Sequence, residues 1–133
     1  MIPRFGEIYT MQFGGTGCEQ NGWRPGLVFQ NNMGNAHSPN IIALPLTSSL
    51  KKRHQPTHVV LPAHLTGLRR DSMVLCENPE RMSKERIGNY ITTLSEDFLS
   101  QIAAAYLLAS SALAFINPVA LMELRERAVI LNG

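Results

Sequence analysis

Residues 41–47 read I-I-A-L-P-L-T. The run is apolar at successive positions, not at alternate ones. A strand formed here buries both of its faces and belongs in the middle of a sheet. Its last residue, Thr47, is the first polar side chain after it. Working outward, shorter strands are predicted on either side. Glu7 to Phe13 (E-I-Y-T-M-Q-F) nearly alternates and is rich in β-branched and aromatic residues. Trp23 to Gln30 is a second strand, with Pro25 placing its beginning at a strand start or an edge. Thr57 to Leu61 (T-H-V-V-L) and Ser72 to Glu77 (S-M-V-L-C-E) follow, and Tyr90 to Leu94 is one more short strand. Gly14 to Gly22, Asn31 to Asn40 and Gly67 to Asp71 read as loops and turns, from their glycine, asparagine and proline content. Pro79 to Arg86 is charged and is predicted to make a short helical turn.

The C-terminal part changes period. Ser95 is placed to cap a helix whose first turn carries Glu96 and Asp97, where the helix dipole favours acids. That helix is predicted to continue to about Phe115. Asn117-Pro118 breaks it, and Val119 to Ile130 forms a second helix with Leu121, Leu124 and Ala128 on one side. The run from Ile102 to Ile116 is apolar, but it is short for a membrane span and is interrupted by Ser110 and Ser111. It reads as a buried or interface helix. Many short strands followed by helices predict an α+β fold, a small antiparallel barrel with helical additions.

The chain has 133 residues, 44% hydrophobic and 17% charged, which suits one domain with its own core. A net charge of +2 selects no class of partner by itself. Two cysteines, Cys18 and Cys76, make no disulfide framework and suit a reduced, cytoplasmic chain. No apolar run follows Arg4 and Glu7, so no signal peptide is predicted.

Residues 14–22 read G-G-T-G-C-E-Q-N-G. They lack the G-K-[ST] of a phosphate-binding loop and lead into a strand instead of opening a helix. The four histidines, His37, His54, His58 and His64, match no zinc spacing, although a histidine acid–base pair stays open. No G-x-S-x-G nucleophile motif is present. Lys51, Lys52, Arg53 and His54 make a basic connection just beyond Thr47. Arg24 opens the second strand. Taken alone, it reads as a solvated charge, and Thr47 as a strand-ending β-former.

The chain resembles the MazF/PemK family, toxins of type II toxin–antitoxin pairs. The matching segments are R-F-G-E-I-Y (4–9), G-C-E-Q-N-G-W-R-P-G-L-V-F-Q-N-N (17–32), G-N…S-P (34–39), L-T-S (46–48), P-T-H-V-V-L (56–61) and G-L-R-R-D-S-M-V-L-C-E-N-P-E-R-M-S-K-E-R-I (67–87). The resemblance implies an SH3-like barrel and a homodimer. It also implies an endoribonuclease that cuts single-stranded RNA at short motifs without metal or cofactor. An antitoxin similar to MazE would inhibit it through a C-terminal segment. Arg24 and Thr47 are the implied catalytic pair, with Ser48, Glu19 and Gln20 at the RNA. Glu77-Asn78 stands where close relatives have Glu-Gln and is likewise expected to contact the RNA.

RNA also needs cations and stacking surfaces. Lys51, Lys52 and Arg53 supply the first. Phe13 and Trp23 are candidates for the second, with core packing the competing expectation for both. The resemblance divides the chain into a toxin domain, residues 1–116, and a helical extension, residues 117–133, expected to pack on the long helix. A different class of function is a non-catalytic toxin similar to CcdB, which binds a protein target such as gyrase.

Overall fold

The computed structural model describes residues 1–14 and 22–133. The strands are β1 (Glu7–Phe13), β2 (Gly22–Val28), β3 (Asn40–Thr47), β4 (His58–Leu61), β5 (Ser72–Leu75), β6 (Glu80–Ser83) and β7 (Ile87–Thr93). All their pairings are antiparallel, in the order β4-β5-β3-β2-β1-β7, with β6 also on β3. The apolar run of residues 41–47 is therefore the central strand. One edge of β3 meets β2, and the other meets β6 along Asn40–Ala43 and then β5 at Leu46 and Thr47.

A proline in a central strand needs a reason, because it cannot donate to a ladder. Phe29 N–H donates to the Ile42 carbonyl at 2.9 Å, which makes 29/42 a hydrogen-bonded pair. By alternation, Pro45 opposite Gly26 is a non-bonded pair. The Pro45 nitrogen thus points to the other edge. There the partner of β3 changes from Glu80 of β6 to Val74 of β5, and no ladder bond is lost.

The sheet does not close through strand pairing among the described residues, since β4 and β7 are its two ends. Helix α2 (Ala63–Thr66) bridges them instead. It follows β4 directly, and Thr92 Oγ1 on β7 donates to the Thr66 carbonyl at 2.8 Å. Gly67, with φ of 80°, ends α2 in the left-handed region that glycine enters freely, and Thr92 leaves little room for a side chain there.

The two faces of the sheet build two cores. On one, Ile8, Leu27, Leu44, Leu46, Leu61 and Val74 pack with Ile102 and Ala105 of α3 (Glu96–Ala109). On the other, Tyr9, Met11, Phe13, Val28, Ile41 and Ala43 pack with Met82 and Ile87. Phe13 is 2% exposed in this second core. Its expected role as a stacking platform fails for that reason: no base can reach a ring enclosed by its own sheet.

Two short elements escape sequence prediction. Helix α1 (Asn32–His37) carries Gly34 and few good helix formers, and it exists because Asn31 Oδ1 caps the Gly34 N–H at 2.8 Å. The fully buried Asn35 ties it down by donating to the Gln30 carbonyl. Residues 80–83, expected in a helical turn, form β6 because β3 offers them an edge, and the turn shrinks to a 3-10 segment at Lys84–Arg86. The predicted long helix stops at Ala109. Ser110 interrupts it, and α4 (Ala112–Phe115) and α5 (Pro118–Asn132) follow.

The extension was expected to cover α3. Instead α5 docks by its last turn: Asn132 accepts from Asn32 N–H through its side chain at 2.9 Å and from Asn32 Nδ2 through its carbonyl. Leu108 on α3 remains exposed, as do Phe115 and Met122. The pattern of α5 explains this, since its apolar residues lie on all sides and form no single face to bury. No described helix is long and apolar enough to cross a membrane.

These contacts set the expected cost of two changes. A Cβ at Gly26 would lie 2.6 Å from Met11 Sδ and 2.8 Å from the Phe13 ring. Gly26→Ala should cost about 1–3 kcal/mol in urea unfolding, as overpacking does. Removing residues 118–133 breaks two part-buried hydrogen bonds to Asn32 and should cost no more than about 1–3 kcal/mol by the same measurement.

Candidate active site

The β2–β3 register that seats Pro45 opposite Gly26 also sets the chemistry at its end. Two residues past that last pair, the same register faces Arg24 with Thr47. There the sheet opens into a cavity of about 510 Å³. Arg24, Thr47, Ser48, Arg69, Arg70 and Ser72 supply its polar wall, and Trp23, Leu46, Leu68 and Ile91 its apolar wall. No carboxylate among the described residues lines it.

Each polar group is held by its element. Pro25, the next residue, fixes the backbone beside Arg24 within β2, opposite Thr10 of β1. Arg24 is half-buried, and its buried Nε has no hydrogen-bond partner among the described residues. Such an orphaned donor on a permanent cation is costly unless an anion completes it. Thr47 Oγ1 accepts from Ser49 N–H at 3.1 Å, which turns the chain away from β3. Among the described residues, the hydroxyl hydrogen and a second lone pair stay uncommitted. Trp23 is 59% exposed. A Cβ at Gly88 would lie 3.0 Å from its ring, so the edge of the indole rests on the β7 backbone at Gly88.

Arg69 and Arg70 were not among the residues singled out from the sequence. The signal was the R-R-D run ahead of β5, but only the turn between α2 and β5 brings it to Arg24.

Other predicted residues lie elsewhere. Lys51 and Lys52 are exposed on the connection to β4 and do not line this cavity. The Lys52 carbonyl meets His58 Nδ1 at 2.8 Å, toward the far end of β4 and β5. Arg53 lines a separate depression between β4 and α3, with Val60 and Leu108. Glu77 lies with His58, its Oε2 at 2.6 Å from His58 Nε2, and not with Arg24. Asn78 sits in the turn beyond it, donating its N–H to the Leu75 carbonyl. Both ring nitrogens of His58 are thereby engaged within the fold, which answers the open question of a histidine acid–base pair at this position. Burial, with a smaller push from Glu77, raises the Cys76 thiol to about 12, so it stays protonated and inert. Glu19, Gln20 and Cys18 lie outside the described residues.

A family profile described as PemK-like, MazF-like toxin of type II toxin–antitoxin systems matches residues 4–108. The chain belongs to this family. A curated member, endoribonuclease EndoA of Bacillus subtilis, is 36% identical over 106 residues, 79% of this chain and 91% of that protein. MazF from Deinococcus radiodurans is similar in structure, with a TM-score of 0.70 at 25% identity, covering 87% of this chain and 99% of that one. A mycobacterial endoribonuclease solved with its cognate antitoxin has a TM-score of 0.68, also at 25% identity, with the same coverage of 87% and 99%. The extension beyond residue 108 lies outside the PemK/MazF match.

The placement of Glu77 makes a prediction about this PemK/MazF member. Glu77→Ala leaves a nitrogen of the buried His58 without its partner. Urea unfolding should register a loss of about 1–3 kcal/mol.

Proposed function

We propose that this chain is the toxin of a type II pair and cuts single-stranded RNA at the Arg24–Thr47 cavity. The observation that carries the reading is that Arg24 and Thr47, remote in sequence, line one cavity that no described carboxylate enters. A polyanion meets no repulsion from that wall. A protein-binding toxin similar to CcdB has no need for these two side chains to converge.

The chemistry follows from the groups present. RNA carries its own nucleophile, and the 2′-hydroxyl can attack the adjacent phosphorus if it is held in line. As the P–O bond to the 2′ oxygen forms, charge grows on the non-bridging oxygens. Arg24 stabilises it through a guanidinium that forks onto two oxygens and keeps its charge. The Thr47 hydroxyl hydrogen-bonds a phosphate oxygen or the 2′-hydroxyl and fixes the phosphate for attack. The bond to the 5′ oxygen then breaks, the 2′-hydroxyl proton passing to water and the departing 5′ oxygen taking one from water, which leaves a 2′,3′-cyclic phosphate and a 5′-hydroxyl. These steps use side chains, the RNA and water, and metal has no part in them. Trp23 offers a stacking face for a base at the mouth of the cavity. Ser48, Glu19 and Gln20 complete the RNA contacts in this reading, with Lys51–Arg53, Glu77 and Asn78 away from the scissile phosphate.

The same reading makes the chain a cytoplasmic homodimer restrained by an antitoxin similar to MazE, whose C-terminal segment would occupy the RNA groove. Support comes from the relatives solved with antitoxins, among them the MazE–MazF pair of Deinococcus radiodurans. The curled sheet bridged by α2 is read as an SH3-like barrel, with residues 1–116 as the toxin domain and residues 117–133 as an appended helix.

Purified protein should cut a long single-stranded RNA with EDTA present, and mass spectrometry should find cyclic phosphate ends. Arg24→Ala should lower the cleavage rate by about 10²–10³-fold, the usual cost of removing a donor to transition-state charge. Wild-type cleavage by Arg24→Ala would overturn the assignment.

A further inference from the structure

Arg69 and Arg70 raise a separate question. They are adjacent, both exposed, and both on the wall of a cavity that already contains Arg24. Three guanidinium groups around one space repel one another unless carboxylates or a ligand intervene. Among the described residues, carboxylates do not. The one close contact there between a carboxylate and a basic side chain is Glu77 with His58, at the other end of β4 and β5. The nearest acid in sequence, Asp71, is committed elsewhere, since its Oδ1 accepts from Ala63 N–H at 2.8 Å at the start of α2.

The backbone that presents the two arginines is well fixed. Gly67 N–H donates to the Ala63 carbonyl, Thr66 Oγ1 accepts from Leu68 N–H, and Ser72 Oγ donates to the Arg70 carbonyl at 3.0 Å. Leu68 anchors the segment in the core. Two cations with no carboxylate partner among the described residues, on a pinned turn, have the form of a preorganised anion site. The cavity, at about 510 Å³, exceeds what one phosphate fills and suits a nucleotide-sized ligand.

We infer that Arg69 and Arg70 form a second phosphate subsite, which grips a backbone phosphate next to the one held by Arg24. This rests on the reading of the cavity as an RNA-cleaving site and adds to it a register. The substrate is held by at least two consecutive phosphates, and its backbone runs from Arg24 toward the α2–β5 turn, away from Lys51–Arg53. Arg69 and Arg70 are positioning residues. They hold the strand while the chemistry proceeds at Arg24 and Thr47.

The test combines protein and substrate variants. On a short RNA cut by the wild type, R69A/R70A should raise KM by about 10- to 100-fold, the worth of charge-assisted hydrogen bonds, with the loss falling mainly on KM and not kcat. Binding of an uncleavable oligonucleotide, 2′-deoxy at the scissile position, should lose about 0.7 from its salt slope for each phosphate contact removed. Neutral methylphosphonate is then introduced at the linkages flanking the scissile one, singly and on each side. At one of these positions the wild type should weaken as much as R69A/R70A does. The double variant should be indifferent to that substitution, because the two changes remove the same contact. R69K/R70K should keep most of the salt slope while losing the bidentate part of the affinity. Unchanged KM and salt slope in R69A/R70A would overturn the subsite, as would additive losses with every methylphosphonate. Should the alanine variant not fold by circular dichroism, R69Q alone, judged against the same substitutions, decides the matter. If the wild type binds the oligonucleotide but cuts no RNA, the nuclease reading fails while the salt slope and methylphosphonate binding still judge the subsite. If it does not bind, both fall.

Discussion

The pairing of Gly26 with Pro45 is the constraint on which the site depends. Gly26 has no side chain because Met11 and Phe13 fill the space where one would go. Pro45 can occupy a central strand because its nitrogen faces the junction between β5 and β6. Together they hold β2 and β3 in one register. A slip by one residue would exchange what the two cores hold, Leu27, Leu44 and Leu46 on one face against Val28, Ile41 and Ala43 on the other, and neither core is shaped for the other set. The register that buries Leu27 and Leu44 also brings Arg24 and Thr47 to the same end of the sheet. Core packing and the meeting of these two side chains in one cavity are set by one alignment.

The site is cationic by placement and not by overall charge. The net charge is only +2. What matters is that Arg24, Arg69 and Arg70 converge while, among the described acids, Asp71 is engaged on α2 and Glu77 lies on His58 at the far end of β5. Committing a carboxylate to a backbone N–H or a histidine keeps it from quenching a neighbouring arginine. The burial of the Cys76 thiol, raised to about 12, likewise removes a competing nucleophile from the described part of the chain.

The C-terminal extension obeys a different logic. Helix α5 attaches through an amide contact between Asn132 and Asn32, and through it to the buried amide of Asn35 and the half-buried Gln30. It adds little to either core. The asparagines of residues 31–40, which read as a loop, are the cap and dock of this arrangement. Amide side chains satisfy one another only when the tertiary fold brings them together, so composition alone named the loop and missed the helix.

Much of the fold was legible along the chain. Period and β-propensity located β1 to its ends and β3 to within a residue, because strands that bury one or both faces must show it in sequence. Arg24 and Thr47 were legible through motif resemblance, and Trp23 as an aromatic beside a loop. Other features depended on contacts between distant residues. Phe13 and Trp23 flank the same loop with equal aromatic character, yet one is enclosed and the other open, since alternation along a strand cannot say which face a second core will cover. Arg69 and Arg70 joined the site, and Lys51–Arg53 did not, because the α2–β5 turn folds back to the end of β3 while the basic connection runs off along β4. Local chemistry is written in the sequence; which charges share a cavity is decided by strand order and register, and those exist only once the sheet has formed.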